Sequence, residues 1–169
     1  MIWAAAAMMF PAVLADAAVS DIRRLRIPNR DSLMLAAAFL VFWGMSAGGS
    51  AEFLLHLAAG AVVFVAGALL FVLRVWGGGD AKLLAAVGLW VGFADLPRLL
   101  MVMALAGGAL ALAVIVLRRL PGAGVEPATT WWRRLAAGRH VPYGLAIAAG
   151  AVDWWATSVR PLLAAYLAS

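Results

Sequence analysis

The chain has 169 residues, of which 66% are hydrophobic and only 12% are charged, and its mean hydropathy is +1.00. A soluble domain carries about 25% charged residues, so this composition excludes a soluble globular protein. The formal net charge of +5 is typical of a membrane protein whose basic residues determine topology or bind anionic lipid, so we do not take it as a sign of nucleic-acid binding. The absence of cysteine excludes disulfides and thiolate metal sites.

Six apolar stretches follow one another along the chain, at roughly residues 2–20, 33–48, 53–75, 81–94, 99–117 and 141–167. Crossing a hydrocarbon core of about 30 Å takes roughly 20 helical residues, and lipid offers the backbone no hydrogen-bond partners. We therefore predict an all-α polytopic membrane protein of about six transmembrane helices. Residues 1–169 are expected to form a single membrane-embedded domain.

Glycine and proline mark the predicted breaks between these helices. The breaks are Ile27-Pro28-Asn29, Gly48-Gly49-Ser50, Gly77-Gly78-Gly79, Asp95-Leu96-Pro97 and the region from Pro121 to Pro127. In the last of these loops, Trp131 and Trp132 are expected to lie in the membrane interface. The final apolar stretch has two possible ends, near Trp155 or near Tyr166.

Lysine and arginine lie mostly in alternate loops. Eleven of the thirteen lie in or beside the first, third and fifth loops: Arg23, Arg24, Arg26, Arg30, Arg74, Lys82, Arg118, Arg119, Arg133, Arg134 and Arg139. Only Arg98 and Arg160 fall on the other side. Because positively charged loops stay in the cytosol, we predict that the odd-numbered loops are cytosolic and that both termini lie outside.

Acidic residues at the edge of an apolar span are functional candidates, because a charge there is costly. Capping or solvation explains four of the eight: Asp31, Glu52, Asp95 and Glu126. Of the others, Asp21 and Asp80 fall at the cytosolic ends of their helices and can meet, whereas Asp153 is expected in the outer half. Asp16 lies one and a half turns from Asp21 and about 140° round the helix, so one of these two is expected to be a bystander.

Two further features have more than one interpretation. The glycines before Asp80 either form a turn in which Asp80 caps a helix, or permit a close approach of another segment. Lys82 either anchors the helix at the headgroups or biases a proton on Asp80. His56, one helical turn after Glu52, is expected to pair locally.

Three segments carry a more specific signal when they are taken together. They are Asp21 with the Arg-rich run to Ile27-Pro28-Asn29, Gly77 to Lys82 followed by Leu83-Leu84, and Val141-Pro142-Tyr143-Gly144. In this combination and order the chain resembles the type IV prepilin peptidases, which are aspartic membrane proteases of the GxGD class. Its length is similar to that of the small, peptidase-only branch that serves tight-adherence (Flp-type) pili.

The resemblance implies an aspartic endopeptidase that removes the leader peptide from prepilins and pseudopilins at the cytoplasmic face of the bacterial inner membrane. It implies Asp21 and Asp80 as the catalytic pair and Gly77 and Gly79 as the motif glycines. Supporting or substrate-binding roles would fall to Lys82, Pro142, Tyr143 and Gly144. No metal or other cofactor is expected. Larger relatives add an N-methyltransferase activity and a cysteine-rich segment, which is missing here, so methylation is not expected.

Two other functional classes compete with a protease. A small proton or cation transport subunit would use Asp16, Asp21 and Asp80 as a path, and a structural subunit of a secretion machine would pair its aspartates with arginines. The acidic residues cluster at one membrane boundary, and no clear inverted repeat relates residues 1–85 to residues 86–169. Both observations favour the protease.

Overall fold

The structure, a computed structural model, describes residues 2–45, 49–119 and 142–167. In these residues the elements are helices α1 (Ile2–Arg24), α2 (Asn29–Met45), α3 (Ser50–Val72), α4 (Gly78–Arg119) and α5 (Tyr143–Trp154), a π-helical turn (Trp155–Val159) and helix α6 (Arg160–Leu167). The described residues contain no strand, so the all-α prediction is confirmed. The predicted loop from Pro121 to Pro127 and the interfacial Trp131 and Trp132 lie outside the described residues.

Three described stretches are long and apolar enough to cross a membrane, by length and composition alone: Ala4–Arg24, Ser50–Val72 and Gly78–Val116. The third has 39 residues, or about 58 Å of straight helix, roughly twice the thickness of the hydrocarbon core. Helices α2 and α5, with 17 and 12 residues, are shorter than these stretches. The count of about six transmembrane helices remains a prediction.

Helix α4 joins the fourth and fifth predicted helices, and its break is not where the sequence suggested. Asp95-Leu96-Pro97 is helical, and the non-helical residue is Gly92, with φ 66° and ψ 179°. Glycine tolerates this left-handed backbone because it has no Cβ. A Cβ at Gly92 would also lie 2.9 Å from Cε1 of His56. The position of the predicted break is therefore wrong by a few residues.

After Gly92 the second half of α4 returns toward the end of the molecule from which its first half started. Leu99 packs against Gly150 in the middle of α5, and Gly107 lies against Tyr143 at the start of α5. One end of the bundle, the cavity end, therefore gathers the ends of α1 and α3 and the beginnings of α2, α4 and α5.

The core is an aromatic cluster in which four helices meet. The ring of Phe10 from α1 lies 5.1 Å from Trp90 of α4 and 5.6 Å from Trp154 of α5, centroid to centroid. Phe39 of α2 contacts Trp90 from the other side, at 5.9 Å. Burial of these large rings stabilises the relative positions of the helices that carry the acidic residues.

Polar side chains bond to backbone carbonyls where two helices are irregular. Pro11 has no N–H to donate to the carbonyl of Ala7, and Trp155 Nε1 donates to that oxygen at 3.0 Å. Near the break at Gly92, His56 Nδ1 lies 2.7 Å from the carbonyl oxygen of Leu89. His56 thus bonds to α4, and the expectation that it pairs locally is wrong.

The chain from Tyr143 to Leu167 is helical throughout, with the π-helical turn between α5 and α6. The Asp153 carboxylate accepts a hydrogen bond from Arg98 Nε at 3.1 Å. Of the two possible ends for the last apolar stretch, the structure favours the later one.

Candidate active site

Asp21 lies in the last turn of α1, where the chain reverses. The backbone N–H of Leu25 donates to the carbonyl of Asp21 at 2.8 Å, and Leu25 itself has a left-handed backbone with φ 51°. This conformation commonly ends a helix. The Asp21 side chain is only 6% exposed. Burial of a carboxyl group requires partners for its oxygens, and these come from distant segments.

Asp80 lies in the first turn of α4, directly after the three glycines. The N–H of Ala81 donates to the carbonyl of Gly77 at 3.2 Å, and the Asp80 carboxylate lies against the backbone of Gly77, where a Cβ would be 2.6 Å from Oδ2. An acidic residue in this position caps the helix and interacts favourably with the helix dipole. The position of Asp80 in the first turn agrees with the capping interpretation, which accounts for only part of its setting.

Asp21 and Asp80 line the same cavity of about 400 Å³ at the cavity end of the bundle. The two carboxyl groups interact electrostatically across it. Gly77, Gly78 and Gly79 form part of its wall, together with Asn29 and Lys82. Two titratable carboxyl groups converging on one cavity are suited to proton transfer to and from a bound water.

The glycine segment is held against the turn after α1. A Cβ at Gly79 would lie 3.1 Å from Cβ of Ile27 and 3.3 Å from its carbonyl oxygen. Ile27 is buried. The absence of a side chain at Gly79 therefore permits the close approach that brings Asp80 to the end of α1, which supports the second interpretation of the glycines.

Gly144, the second residue of α5, contacts Asp21 directly. Its backbone N–H donates to Asp21 Oδ2 at 2.8 Å, and a Cβ at this position would lie 2.9 Å from the same oxygen. Pro142 is buried, and the ring of Tyr143 packs edge-on against Trp76 at 6.1 Å. Among the described residues, this segment thus supports Asp21 from outside the cavity rather than lining it.

Lys82 is exposed and donates from Nζ to Asn29 Oδ1 at 3.0 Å. The bond joins the first residue of α2 to the fifth residue of α4 at the rim of the cavity. The sequence analysis did not propose Asn29 as a site residue. Its position in the polar break Ile27-Pro28-Asn29, close to Asp21, could have indicated it.

Other acidic residues lie elsewhere. Asp16 is exposed and pairs with Arg30 at 2.6 Å, and it does not line the cavity that holds Asp21 and Asp80. Asp95 accepts a hydrogen bond from Trp154 Nε1 at 2.8 Å. Within the described residues, no group of three or more metal-binding side chains converges.

The sequence model of the type IV leader peptidase family matches residues 8–112, which is more than half of the chain and includes both Asp21 and Asp80. Pro142, Tyr143 and Gly144 lie outside the matched region. No curated protein and no solved structure shows significant similarity to the chain.

Proposed function

Since the chain belongs to the type IV leader peptidase family, we propose that it is an aspartic endopeptidase of the GxGD type that removes the leader peptide from type IV (Flp-type) prepilins and pseudopilins. Family membership implies a peptidase. The aspartic mechanism is supported mainly by one observation: Asp21 and Asp80 line the same cavity.

The proposed reaction is a direct attack of water on the scissile peptide bond. Two carboxyl groups facing each other cannot both ionise at low cost, so the pair shares one proton. The ionised carboxylate takes a proton from water, whose oxygen attacks the carbonyl carbon, while the protonated carboxyl donates to the carbonyl oxygen. Collapse of the tetrahedral intermediate breaks the C–N bond, and a proton passes to the leaving amine. The products are the leader with a new carboxylate and the pilin with a new amino terminus.

The backbone contacts of the two aspartates support this chemistry. The N–H of Gly144 donates to Oδ2 of Asp21 at 2.8 Å, and the Asp80 carboxylate lies against the backbone of Gly77. Both segments lie at the beginnings of helices, where backbone N–H groups lack intrahelical acceptors. Fixed contacts of this kind orient the carboxyl groups before substrate binds, which lowers the cost of reaching the reactive geometry.

We place the site at the cytoplasmic face of the bacterial inner membrane, within a single multi-pass domain of about six spans. Exposed arginines at the cavity end support this orientation: Arg23, Arg24, Arg26, Arg30 and Arg74. The opposite end holds Arg98 and Arg160. Positively charged segments stay on the cytoplasmic side, so the cavity would face the cytosol. Substrates would present a polar leader there, with an apolar helix in the bilayer.

Replacement of each aspartate tests the proposal. Wild type, Asp21→Asn and Asp80→Asn are each co-expressed with candidate prepilins, and processing is followed by the decrease in pilin size. We expect both variants to insert normally and to lose processing. Asp16→Asn is the matched control, because Asp16 lies on α1 but pairs with Arg30 outside the cavity.

The same variants separate the other functional classes. A transport subunit would lose proton or cation flux in these variants, with prepilin processing unchanged. A scaffold would lose pilus assembly while the pilin is still cut. Processing that survives in Asp21→Asn and Asp80→Asn would contradict the aspartic mechanism.

A further inference from the structure

A second cavity, larger than the catalytic one, lies beside it. This groove of about 630 Å³ runs between α2 and α3, with the first half of α4 as its floor. Leu33 and Ala36 contribute from α2, Ala61 and Phe64 from α3, and Ala85 and Leu89 from α4. None of these six residues lines the cavity that contains Asp21 and Asp80.

The two ends of the groove differ in chemistry. Beyond its last lining residues at one end, Phe39 of α2 stacks on Phe53 of α3 at 6.0 Å, and Trp43 lies 5.8 Å from Phe53. At the other end, Asn29 and Lys82 form part of the groove wall and also part of the catalytic cavity wall. The two cavities therefore meet at the bonded pair Lys82 and Asn29.

The shape and chemistry of the groove suit an apolar helix. Ala36, Ala61 and Ala85 are small, and small residues let another helix backbone approach closely in a membrane. From Asn29 to Phe39, α2 rises about 15 Å, the length of roughly ten helical residues. This is about half of a membrane span. The groove is thus long enough for the first half of a transmembrane helix, but too short for all of it.

Exposed polar side chains lie at the end where such a helix would begin. They are Asn29 and Lys82, which line the groove and are bonded to each other at 3.0 Å. The first N–H groups of any helix lack intrahelical acceptors. The side-chain oxygen of Asn29 can accept from such a group, whereas a lipid acyl chain offers it no donor.

We infer that this groove receives the leader-proximal half of the substrate's apolar helix and so places the preceding peptide bond between Asp21 and Asp80. The inference rests on the proposed function. It adds that the enzyme recognises the apolar helix as well as the cleavage site, through a surface formed by α2, α3 and α4. A polar leader would lie in the catalytic cavity and the apolar segment in the groove, with Lys82 and Asn29 between them.

Disulfide cross-linking tests the contact directly, because the chain has no cysteine of its own. Ala61→Cys is placed in an Asp80→Asn background, which keeps the substrate uncut, and is combined with single cysteines along the first ten residues of the prepilin helix. Val62→Cys is the matched control, since Val62 is the next residue, is 55% exposed and does not line the groove. We expect cross-links at position 61 at least about tenfold stronger than at position 62.

Blocking the groove provides a second measurement. Ala61→Trp fills the groove and is expected to reduce prepilin processing at least about tenfold, because a substrate displaced by about 1 Å reacts far more slowly. Val62→Trp adds bulk to the outward surface and is expected to process at the wild-type rate. Equal processing by the two tryptophan variants would overturn the inference.

The outcomes distinguish the groove from the proposed function. If wild type cuts prepilins and Asp21→Asn does not, but cross-links at position 61 are absent, the peptidase stands and the groove holds a lipid acyl chain instead. If Asp21→Asn cuts as well as wild type, the proposed function itself fails. Strong cross-linking at position 61, together with slow processing by Ala61→Trp, supports both.

Discussion

The backbone N–H of Gly144 donates a hydrogen bond of 2.8 Å to Oδ2 of Asp21, joining two residues that are 123 positions apart in the chain. Gly144 is the second residue of α5, where the N–H has no intrahelical acceptor and the helix dipole presents a partial positive charge. The contact orients the Asp21 carboxyl group toward α5. It also makes the geometry of the candidate site depend on the packing of α5 against α1.

Gly144→Ala should therefore reduce processing by about 100-fold, since the new Cβ would lie 2.9 Å from both Asp21 Oδ2 and Ile27 Cδ1. The rate of prepilin cleavage measures the effect. Gly108→Ala is the control, because a Cβ at Gly108 meets nothing within 4 Å. Equal rates for the two variants would show that the close contact of α5 with Asp21 is unimportant for activity.

The three glycines before Asp80 should differ in their tolerance of alanine. A Cβ at Gly77 would lie 2.6 Å from Asp80 Oδ2, and one at Gly79 would press on the backbone of Ile27 at 3.3 Å. At Gly78 the nearest atom is on the ring of Phe71, at 3.3 Å, and this side chain is 53% exposed and can move. We expect Gly77→Ala and Gly79→Ala to lose at least about tenfold in cleavage rate.

Gly78→Ala is expected to retain most of the wild-type rate and serves as the internal control for those two variants. Its cleavage rate is measured with the same prepilin and at the same enzyme level in the membrane. A loss at Gly78 as large as at Gly79 would mean that backbone freedom, rather than close contact, is what the segment requires.

His56→Ala should destabilise the fold by about 1 to 3 kcal/mol, because it leaves the carbonyl oxygen of Leu89 without its side-chain partner near the break in α4. Denaturation in detergent micelles measures the change. His56→Gln, which keeps a donor, should recover part of the loss. Glu52→Ala, one turn away and exposed, should change stability by less than about 0.5 kcal/mol. A larger effect at Glu52 than at His56 would favour local pairing.

Trp155 and Pro11 should be coupled, because Trp155 Nε1 bonds to the carbonyl that Pro11 leaves without an N–H donor. Trp155→Phe removes this bond and is expected to cost about 1 kcal/mol. In a Pro11→Ala background the alanine N–H can donate to Ala7, so the cost of Trp155→Phe should fall. A double-mutant cycle on unfolding free energies measures the difference. Strictly additive effects would argue against the coupling.

Much of the fold follows from local sequence patterns. Apolar run length and the absence of backbone partners in lipid predict the all-helical, membrane-embedded class, and the structure confirms the helices. The acidic candidates Asp21 and Asp80 also stand out locally, because charge is rare at the edge of apolar segments. The alternation of arginine-rich and arginine-poor loops predicts the orientation in the membrane. This prediction depends on the charge of the loops and not on which helices pack together.

What the tertiary structure alone decided is which side chains meet. One helical turn and a half separates Asp16 from Asp21, yet Asp16 pairs with Arg30 and Asp21 lines the same cavity as Asp80. Lys82 reaches Asn29 across 53 positions. Helical periodicity determines which face a residue occupies, but it does not determine which helix packs against that face. That choice depends on close approaches at glycines and on aromatic packing between distant segments. For this reason the resemblance could point to Gly144, but only the assembled helices show its bond to Asp21, the bond of Lys82 to Asn29 and the break at Gly92.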